Sequence, residues 1–520
     1  MNKLYKIILA CIIYTGFVSA SPVIWDGSVD VSWYQESAQA YNLITAEQLA
    51  GLAHLVNEGH SDFLGKTITL GADIFLNDTA GAVAGTWASI PRREWIPIGN
   101  SSRPFKGEFD GIAGKKNRKI YGLYINDTTK TSVGLFGYTS GVQISNLEVL
   151  VGRVTAKDTV GALIGYAEGG SVSNVHSEIK VTGRNYVGGL IGNFSGSLYR
   201  SSVKESVVGK TYVGGLMGYA SGSVSDSHSE GSITGTRDYI GGLVGYGSSV
   251  TSSYHVGGDV SGASYVGGLM GYASGSVSDS YSEGSITGYI GGNYTGGLVG
   301  KTSGSHKYIS DSYSEGSVTG ASYVGGLIGQ IYGGSVSASH SEGSVTGRGN
   351  NIGGLIGFLY YDYSVSSNLT DTVMQESYAL GDVKGLNNVG GLIGIDSVGG
   401  SNKSNTLNRW ILKSYSKGNI EGNRNVGGVI GNSRTAGINA YIKIRSSHHT
   451  EGSVTGTRDY IGGLVGYGSS VTSSYHVGGD VSGASYVGGL MGLAVGDVKK
   501  LLFRGKYHWF FLCRWSCWQG

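Results

Sequence analysis

Apolar residues recur along this chain at one long, nearly fixed interval. Leu135, Leu163, Leu190, Leu216, Leu243, Leu269, Leu298, Leu327, Leu355 and Leu392 each sit in a GGL-like core; Val429 takes the place once, and Leu464 and Leu490 close the series. Nine of the twelve intervals are 26 to 29 residues and three are 35 to 37, so one structural unit has been copied head to tail. Its cleanest copy is YVGGLMGYASGSVSDSYSEGSITG, residues 265–288. Short β-branched and aromatic runs divided by Gly and Ser predict short strands and tight corners. About 27 residues make three short strands and three corners, and turns stacked at about 4.8 Å give continuous parallel ladders. The predicted fold is all-β, a parallel β-helix or β-solenoid of right-handed sense. In each turn the core should take residues such as Val266, Leu269, Val277 and Ile286.

Equivalent positions of successive turns must stack. Tyr186, Tyr212, Tyr239, Tyr265, Tyr294 and Tyr323 should form one column. Tyr254, Tyr281 and Tyr313 should form another, with His176, His228 and His340 substituting in it. In the three longest turns the first column becomes Asn351, Asn388 and Asn425, whose amides can hydrogen-bond along the axis. Structural stacking accounts for both columns, with carbohydrate binding on an exposed aromatic stripe as the functional reading. The abundant glycines are assigned to corners with φ > 0.

The pattern differs over 21–130, which reads as an amino-terminal cap merging into the first turns. Thr45 to Gln48 is a capping box, Ile44 can staple to Leu49, and Leu49, Leu52, Ala53 and Val56 follow at helical spacing until Gly59. One short α-helix is predicted here. Strands are expected at 66–76, 95–99, 105–109 and 119–125. A cap is needed because an open parallel edge recruits other chains. The repeats occupy 131–500, and 1–20 reads as a signal peptide: Lys3 and Lys6, an apolar run, then Val18-Ser19-Ala20. No later apolar stretch is long enough to span a membrane. The expected location is the cell surface or the extracellular space, with any surface attachment unspecified.

Composition narrows the function classes. With 93 Gly, 4 Pro and 14% charged residues, the chain has neither a collagen period nor a typical helical make-up. Its formal net charge is +2, and it becomes −3 once Lys3, Lys6, Arg504, Lys506 and Arg514 are set aside with the leader and the tail. No basic stripe remains, so nucleic acid is not an expected partner. Cys11 leaves with the leader and the repeats hold no cysteine, hence no disulfide.

The repeats resemble the GLUG-motif repeats of exported bacterial surface proteins. The resemblance rests on VGGLIG, YVGGLMG, YIGGLVG and NVGGLIG, each followed by text like YSEGSVTG. The segments TAEQLAGLAHLVNEG, KTITLGADIFL, WIPIG and FKGEFDG look like the leader found before such repeats. It implies a β-solenoid on an adhesin-like protein and no catalytic residues. Similar repeats accompany an immunoglobulin-cleaving metallopeptidase family, but its H-E-x-x-H zinc motif is missing from this sequence.

Function is expected in the long turns. Insertions at 358–375, 397–410 and 432–446 follow the same signal in consecutive turns and should project from one side. Tyr360, Tyr361, Tyr363, Trp410, Arg434, Tyr441, Lys443 and Arg445 form the candidate ligand-binding patch, for an extracellular glycan or protein. No catalytic, cofactor-binding or metal residue is assigned, and no cofactor is expected. A carbohydrate-active β-helix enzyme of the polysaccharide lyase type is the alternative. Gly296 to Thr302 imitates a phosphate loop, but Thr295 stands where its first Gly is required. Glu283, Glu315 and Glu342 read as a solvated acidic edge rather than a calcium ladder, and the His448-His449 pair as surface residues.

The tail, 501–520, shares nothing with the repeats. It can be back-translated into codons that, read one base later, spell SYSEGSITGSSYVGGLVGR. The tail therefore reads as a frameshift of the repeat, and Cys513 and Cys517 as its by-products. A truncated or phase-variable allele is a further alternative.

Overall fold

The computed structural model describes residues 22–79, 93–113, 116–304, 307–362, 370–399, 408–433 and 441–509. The chain winds into a parallel β-solenoid of about 15 turns with, among the described residues, one helix, α1 (Ala46–Glu58), near its start. One continuous ladder is the 13-stranded parallel sheet built from the strand after each GGL signal, from Phe136–Ser140 to Met491–Leu493. Register holds turn by turn, as in Met217↔Val244↔Met270↔Val299↔Ile328. Val266, Leu269, Val277 and Ile286 are all fully buried, as expected.

Each turn is cut more finely than three strands. In the 265–288 copy the strands are Val266–Gly267, Met270–Ala273, Val277–Ser278, Tyr281–Ser282 and Ile286–Gly288. Left-handed residues make the breaks: Tyr265 has φ +55 and Asp279 has φ +52. Glycine is not what occupies these corners. The first is Tyr at Tyr186, Tyr212, Tyr239, Tyr265, Tyr294 and Tyr323, and Asn at Asn351, Asn388 and Asn425, all with φ between +54 and +67. A tyrosine there is unfavourable by itself, and stacking on the next turn offsets the cost. Glycines do turn at positive φ elsewhere, as at Gly257, Gly291 and Gly418, but those of the GGL signal serve close approach. A Cβ on Gly267 would lie 2.1 Å from the carbonyl oxygen of Met270, and one on Gly268 2.1 Å from that of Gly297.

Serines that the sequence pattern did not single out run through the interior. The amide of Ser201 donates to Ser227 Oγ at 3.1 Å, Ser227 to Ser253 at 3.1 Å, Ser253 to Ser280 at 3.1 Å and Ser280 to Ser312 at 3.2 Å. The series continues to Ser474. Each hydroxyl donates to the carbonyl two residues earlier, as Ser227 does to Ser225 at 2.7 Å. One side chain thus satisfies a backbone donor and a backbone acceptor at a bend where the ladder is interrupted.

At the amino-terminal end the parallel ladder begins well before the first GGL signal. Ala40–Leu43 pairs with Thr67–Leu70, which pairs with Glu108–Asp110, which pairs with Gln143–Val160. Helix α1 packs Leu49, Leu52, Ala53 and Val56 inward. Thr45 Oγ1 accepts from Gln48 N at 3.3 Å, and Gly59 ends the helix at φ +80. Ile44 remains 51% exposed, so no staple forms; Gln48 Oε1 instead accepts from Ile44 N at 2.8 Å. The expected strand at 95–99 is absent. Pro97 lacks a donor and Gly99 turns at φ +79, leaving an isolated bridge between Ile98 and Phe136. At 105–109 only Glu108–Asp110 belongs to a strand that overlaps the expected one.

At the other end, Leu502–Arg504 and Tyr507–Trp509 continue the ladder against Tyr475–Val477 and Val481–Gly483. No helix among the described residues is long and apolar enough to cross a membrane.

Candidate ligand-binding surface

The first two long turns lengthen their strands into stacked arms, Ile356–Asp362 and Ile393–Gly399 running seven residues each, while Ile430–Ser433 in the third keeps the ordinary four. Ile356–Asp362 pairs with Ile393–Gly399, and Thr370–Gln375, Asn408–Leu412 and Ile442–Arg445 pair in succession. Alternation along these strands sorts the candidates. Ile411, Ile442 and Ile444 point inward and are buried, so Trp410 and Lys443, in register with each other, face out half-buried. Lys443 Nζ lies 5.2 Å from the centre of the Trp410 ring, a cation–π pair across two turns. Tyr441 is half-buried and Arg445 exposed on the same strand or its lead-in. Tyr360 packs on Tyr332 at 5.1 Å and edge-on to Phe358 at 5.8 Å. Tyr363 and Arg434 lie outside the described residues.

Tyr361 is not a surface contact. It is 8% exposed, and its hydroxyl donates to the carbonyl of Gly334 at 2.7 Å. Its ring lies 5.3 Å from the guanidinium of Arg409, a fully buried arginine. Arg409 makes a two-pronged ion pair with Asp396, also fully buried; the Nη2–Oδ2 contact is 2.8 Å. Ser433 Oγ donates to Asp396 Oδ2 at 3.1 Å. Asp396 and Arg409 flank one insertion, so their pair closes the base of a single arm, and Ser433 from the next turn and Tyr361 from the previous one join it there. Its signal in the sequence was weak: Asp396 stands where Leu359 does one turn earlier, at an inward position.

Outside the arms, two aromatic columns line the solenoid as expected, except that Ser202 separates His176 from the second. In the first, Tyr186, Tyr212, Tyr239 and Tyr265 stack at 4.7 Å with planes within 10°. Tyr294 and Tyr323 follow at 5.0 and 4.9 Å. A neighbouring file from the 13-stranded sheet, Tyr219, Tyr246 and Tyr272, meets it edge-on at 5.8 to 6.5 Å. Burial raises the pKa of Tyr212, Tyr239 and Tyr265, that of Tyr239 to about 12, so these three phenols are hydrogen-bond donors at neutral pH. Beyond Tyr323 the column becomes amides: Asn388 Nδ2 donates to Asn351 Oδ1 at 2.7 Å and Asn425 Nδ2 to Asn388 Oδ1 at 2.8 Å. The second column runs His228, Tyr254, Tyr281, Tyr313, His340, Tyr378, Tyr415, His448 and Tyr475, every step 4.5 to 5.1 Å.

Of the two adjacent histidines, only His448 joins this column. His449 is fully buried; its Nδ1 shares a hydrogen bond with Ser416 Oγ at 3.0 Å and its ring stacks on His476 at 5.1 Å. The interior position it fills belongs to Ser229, His255, Ser282 and Ser314 in other turns. Glu283, Glu315 and Glu342 line up exposed, and the Glu315 carboxyl is shifted upward by burial and then by the charges of the other two. No group of three or more His, Cys, Asp or Glu among the described residues could hold a metal ion.

The model of the GLUG motif matches residues 262–287 and 320–346. The chain carries the GLUG motif. Both matches begin at the end of one repeat and run through the GGL strand into the next, so the GLUG unit coincides with one winding of the solenoid. Among solved structures, one similar chain is named a "putative immunoglobulin A1 protease" from Bacteroides ovatus. It is 17% identical, the match covers 66% of this chain and 77% of that one, and the TM-score is 0.27. No curated protein matches the GLUG-bearing chain in sequence.

Proposed function

We propose that this GLUG-repeat solenoid is an exported scaffold, secreted or held at the cell surface, that binds an extracellular glycan or protein without transforming it. The observation that carries the reading is the Lys443–Trp410 pair on the stacked arms. A rigid ladder holds an ammonium and an indole side by side and outward, with Arg445 exposed beside them. Aromatic and cationic groups fixed on a preformed surface bind at little conformational cost. The leader-like residues 1–20 and the GLUG repeats support export.

Binding of labelled chain to a panel of extracellular polysaccharides and host surface proteins tests this. Saturable binding weakened at least tenfold by Trp410→Ala or Lys443→Ala supports it. New reducing ends or unsaturated sugars in the incubated polysaccharide would overturn it in favour of a carbohydrate-active enzyme. Export is tested separately, by protease accessibility of the chain on intact producing cells.

A further inference from the structure

Lys301 belongs to the stretch that imitates a phosphate loop, and its place in the fold gives it another role. Its strand, Val299–Thr302, pairs with Met270–Ala273 and Ile328–Tyr332, setting Lys301 opposite Tyr272 and Gln330. Three turns before it the same file holds Tyr219, Tyr246 and Tyr272. Lys301 therefore interrupts a tyrosine file with an ammonium. Its Nζ lies 4.9 Å from the centre of the Tyr294 ring and 5.9 Å from that of Tyr265.

Elsewhere on the solenoid several basic residues are paired across turns. Lys204 meets Glu178, Lys384 meets Glu421, Lys413 meets Glu376, Lys417 meets Glu451 and Arg184 meets Asp158. Lys301 has no such carboxylate among the described residues. Burial alone lowers its pKa, with no acidic neighbour pulling it back. A half-buried cation beside these rings, with no carboxylate partner, retains its attraction for an incoming anion.

The flanking phenols set the shape of that anion. Tyr265, Tyr294 and Tyr323 spend their ring faces on one another, so what they turn outward is edges and hydroxyls. Those hydroxyls recur once per turn, at about 4.8 Å, a length close to that of one pyranose unit. The column is thus a ruled line of hydrogen-bonding groups with one positive charge beside it.

We propose that Lys301, with Tyr265, Tyr294 and Tyr323, forms a binding site for an acidic oligosaccharide lying along the solenoid axis. The ammonium takes a carboxylate or sulfate, and the phenols take hydroxyls of adjoining sugar units. The site adjoins the first arm, whose Phe358 packs against Tyr323 at 5.5 Å, but includes neither Trp410 nor Lys443.

Calorimetric titration of the full chain with an oligouronate, a sulfated oligosaccharide, a neutral oligosaccharide of equal length and oligoglutamate tests the proposal. Binding of one or both acidic sugars is expected, weakening as salt rises, with the uronate and sulfate arms telling which anion is preferred. Lys301→Gln should weaken it at least tenfold, and so should Lys301→Tyr, which the fold accommodates because Tyr272 fills the equivalent place. Trp410→Ala should leave it unchanged, which separates this site from the arms. Failure of every acidic sugar to bind, equal binding of the neutral sugar or of oligoglutamate, or full affinity in folded Lys301→Gln would each overturn the proposal.

Discussion

The backbone amide of Ser253 donates to the hydroxyl of Ser280 in the next turn at 3.1 Å, and that hydroxyl donates to the carbonyl of Ser278 at 2.6 Å. Both serines are about 1% exposed. Removing the hydroxyl leaves the buried Ser253 amide without a partner and takes one of two donors from the Ser278 carbonyl, which keeps the Ser252 amide at 3.1 Å. Ser280→Ala should therefore destabilise the solenoid by about 1–3 kcal/mol, whereas Ser274→Ala, at a partly exposed site, should cost less. Urea denaturation of the two variants checks this, and faster exchange of the Ser253 amide would locate the loss.

Stability should fall in mild acid through the interior histidines. Burial pushes the His255 pKa from 6.5 down to about 4 and that of His449 down to about 3. The unfolded chain thus takes a proton more readily than the folded one. The contribution is fully present above pH 6.5 and is lost as pH drops toward the folded values, at about 1.4 kcal/mol per pH unit for each group. Serine occupies the same position at Ser229 and Ser282, so His255→Ser should fold. Its melting temperature should lose less than that of the parent between pH 6.5 and pH 4.5. An identical pH profile in the two proteins would show that His255 is not desolvated as the fold requires.

The ion pair under the arms should behave differently when one partner is removed than when both are. Asp396→Asn strands the buried Arg409 charge and should cost about 3–5 kcal/mol. Replacing both, as Asp396→Leu with Arg409→Met, should cost much less. Hydrogen exchange over Ile393–Gly399 and Asn408–Leu412 reads the effect where it arises.

The register at the carboxyl end bears on the frame of the gene. Leu502, Phe503, Tyr507 and Trp509 pair with Tyr475, His476, Val481 and Gly483. Read one base later, the tail offers Tyr, Ser, Ile and Gly at those places, the residue types that the column, the interior and the corner use elsewhere. Sequencing across codons 495 to 505 should find the repeat frame one base on. A chain carrying SYSEGSITG at 501–509 should aggregate less than the chain as written, in which Leu502 is 47% exposed. Equal solubility of the two would argue against the shift.

The repeat interval alone determined that the chain is a parallel solenoid, which residues form the core and which rings stack. Period needs no tertiary information: once Leu243 and Leu269 are equivalent, so are Tyr239 and Tyr265, and stacking follows from turns spaced like strands. The helix was legible for a similar reason, since Thr45, Gln48 and Gly59 act within a few residues of one another. Inside and outside were not legible where a turn outgrows the repeat. Tyr360 and Tyr361 are neighbours in sequence, yet one packs on Tyr332 and the other closes over Arg409, because a strand sends successive side chains to opposite faces. Tertiary structure also decided who takes the left-handed corners. Tyr and Asn hold the corner before each GGL strand because the next turn supplies a stacked partner, while the glycines of the GGL signal stand where two backbones come too close for a Cβ. Lys301 was visible from the start as an odd residue in a glycine-rich string, but only the stacking of turns sets it among the rings of Tyr265 and Tyr294.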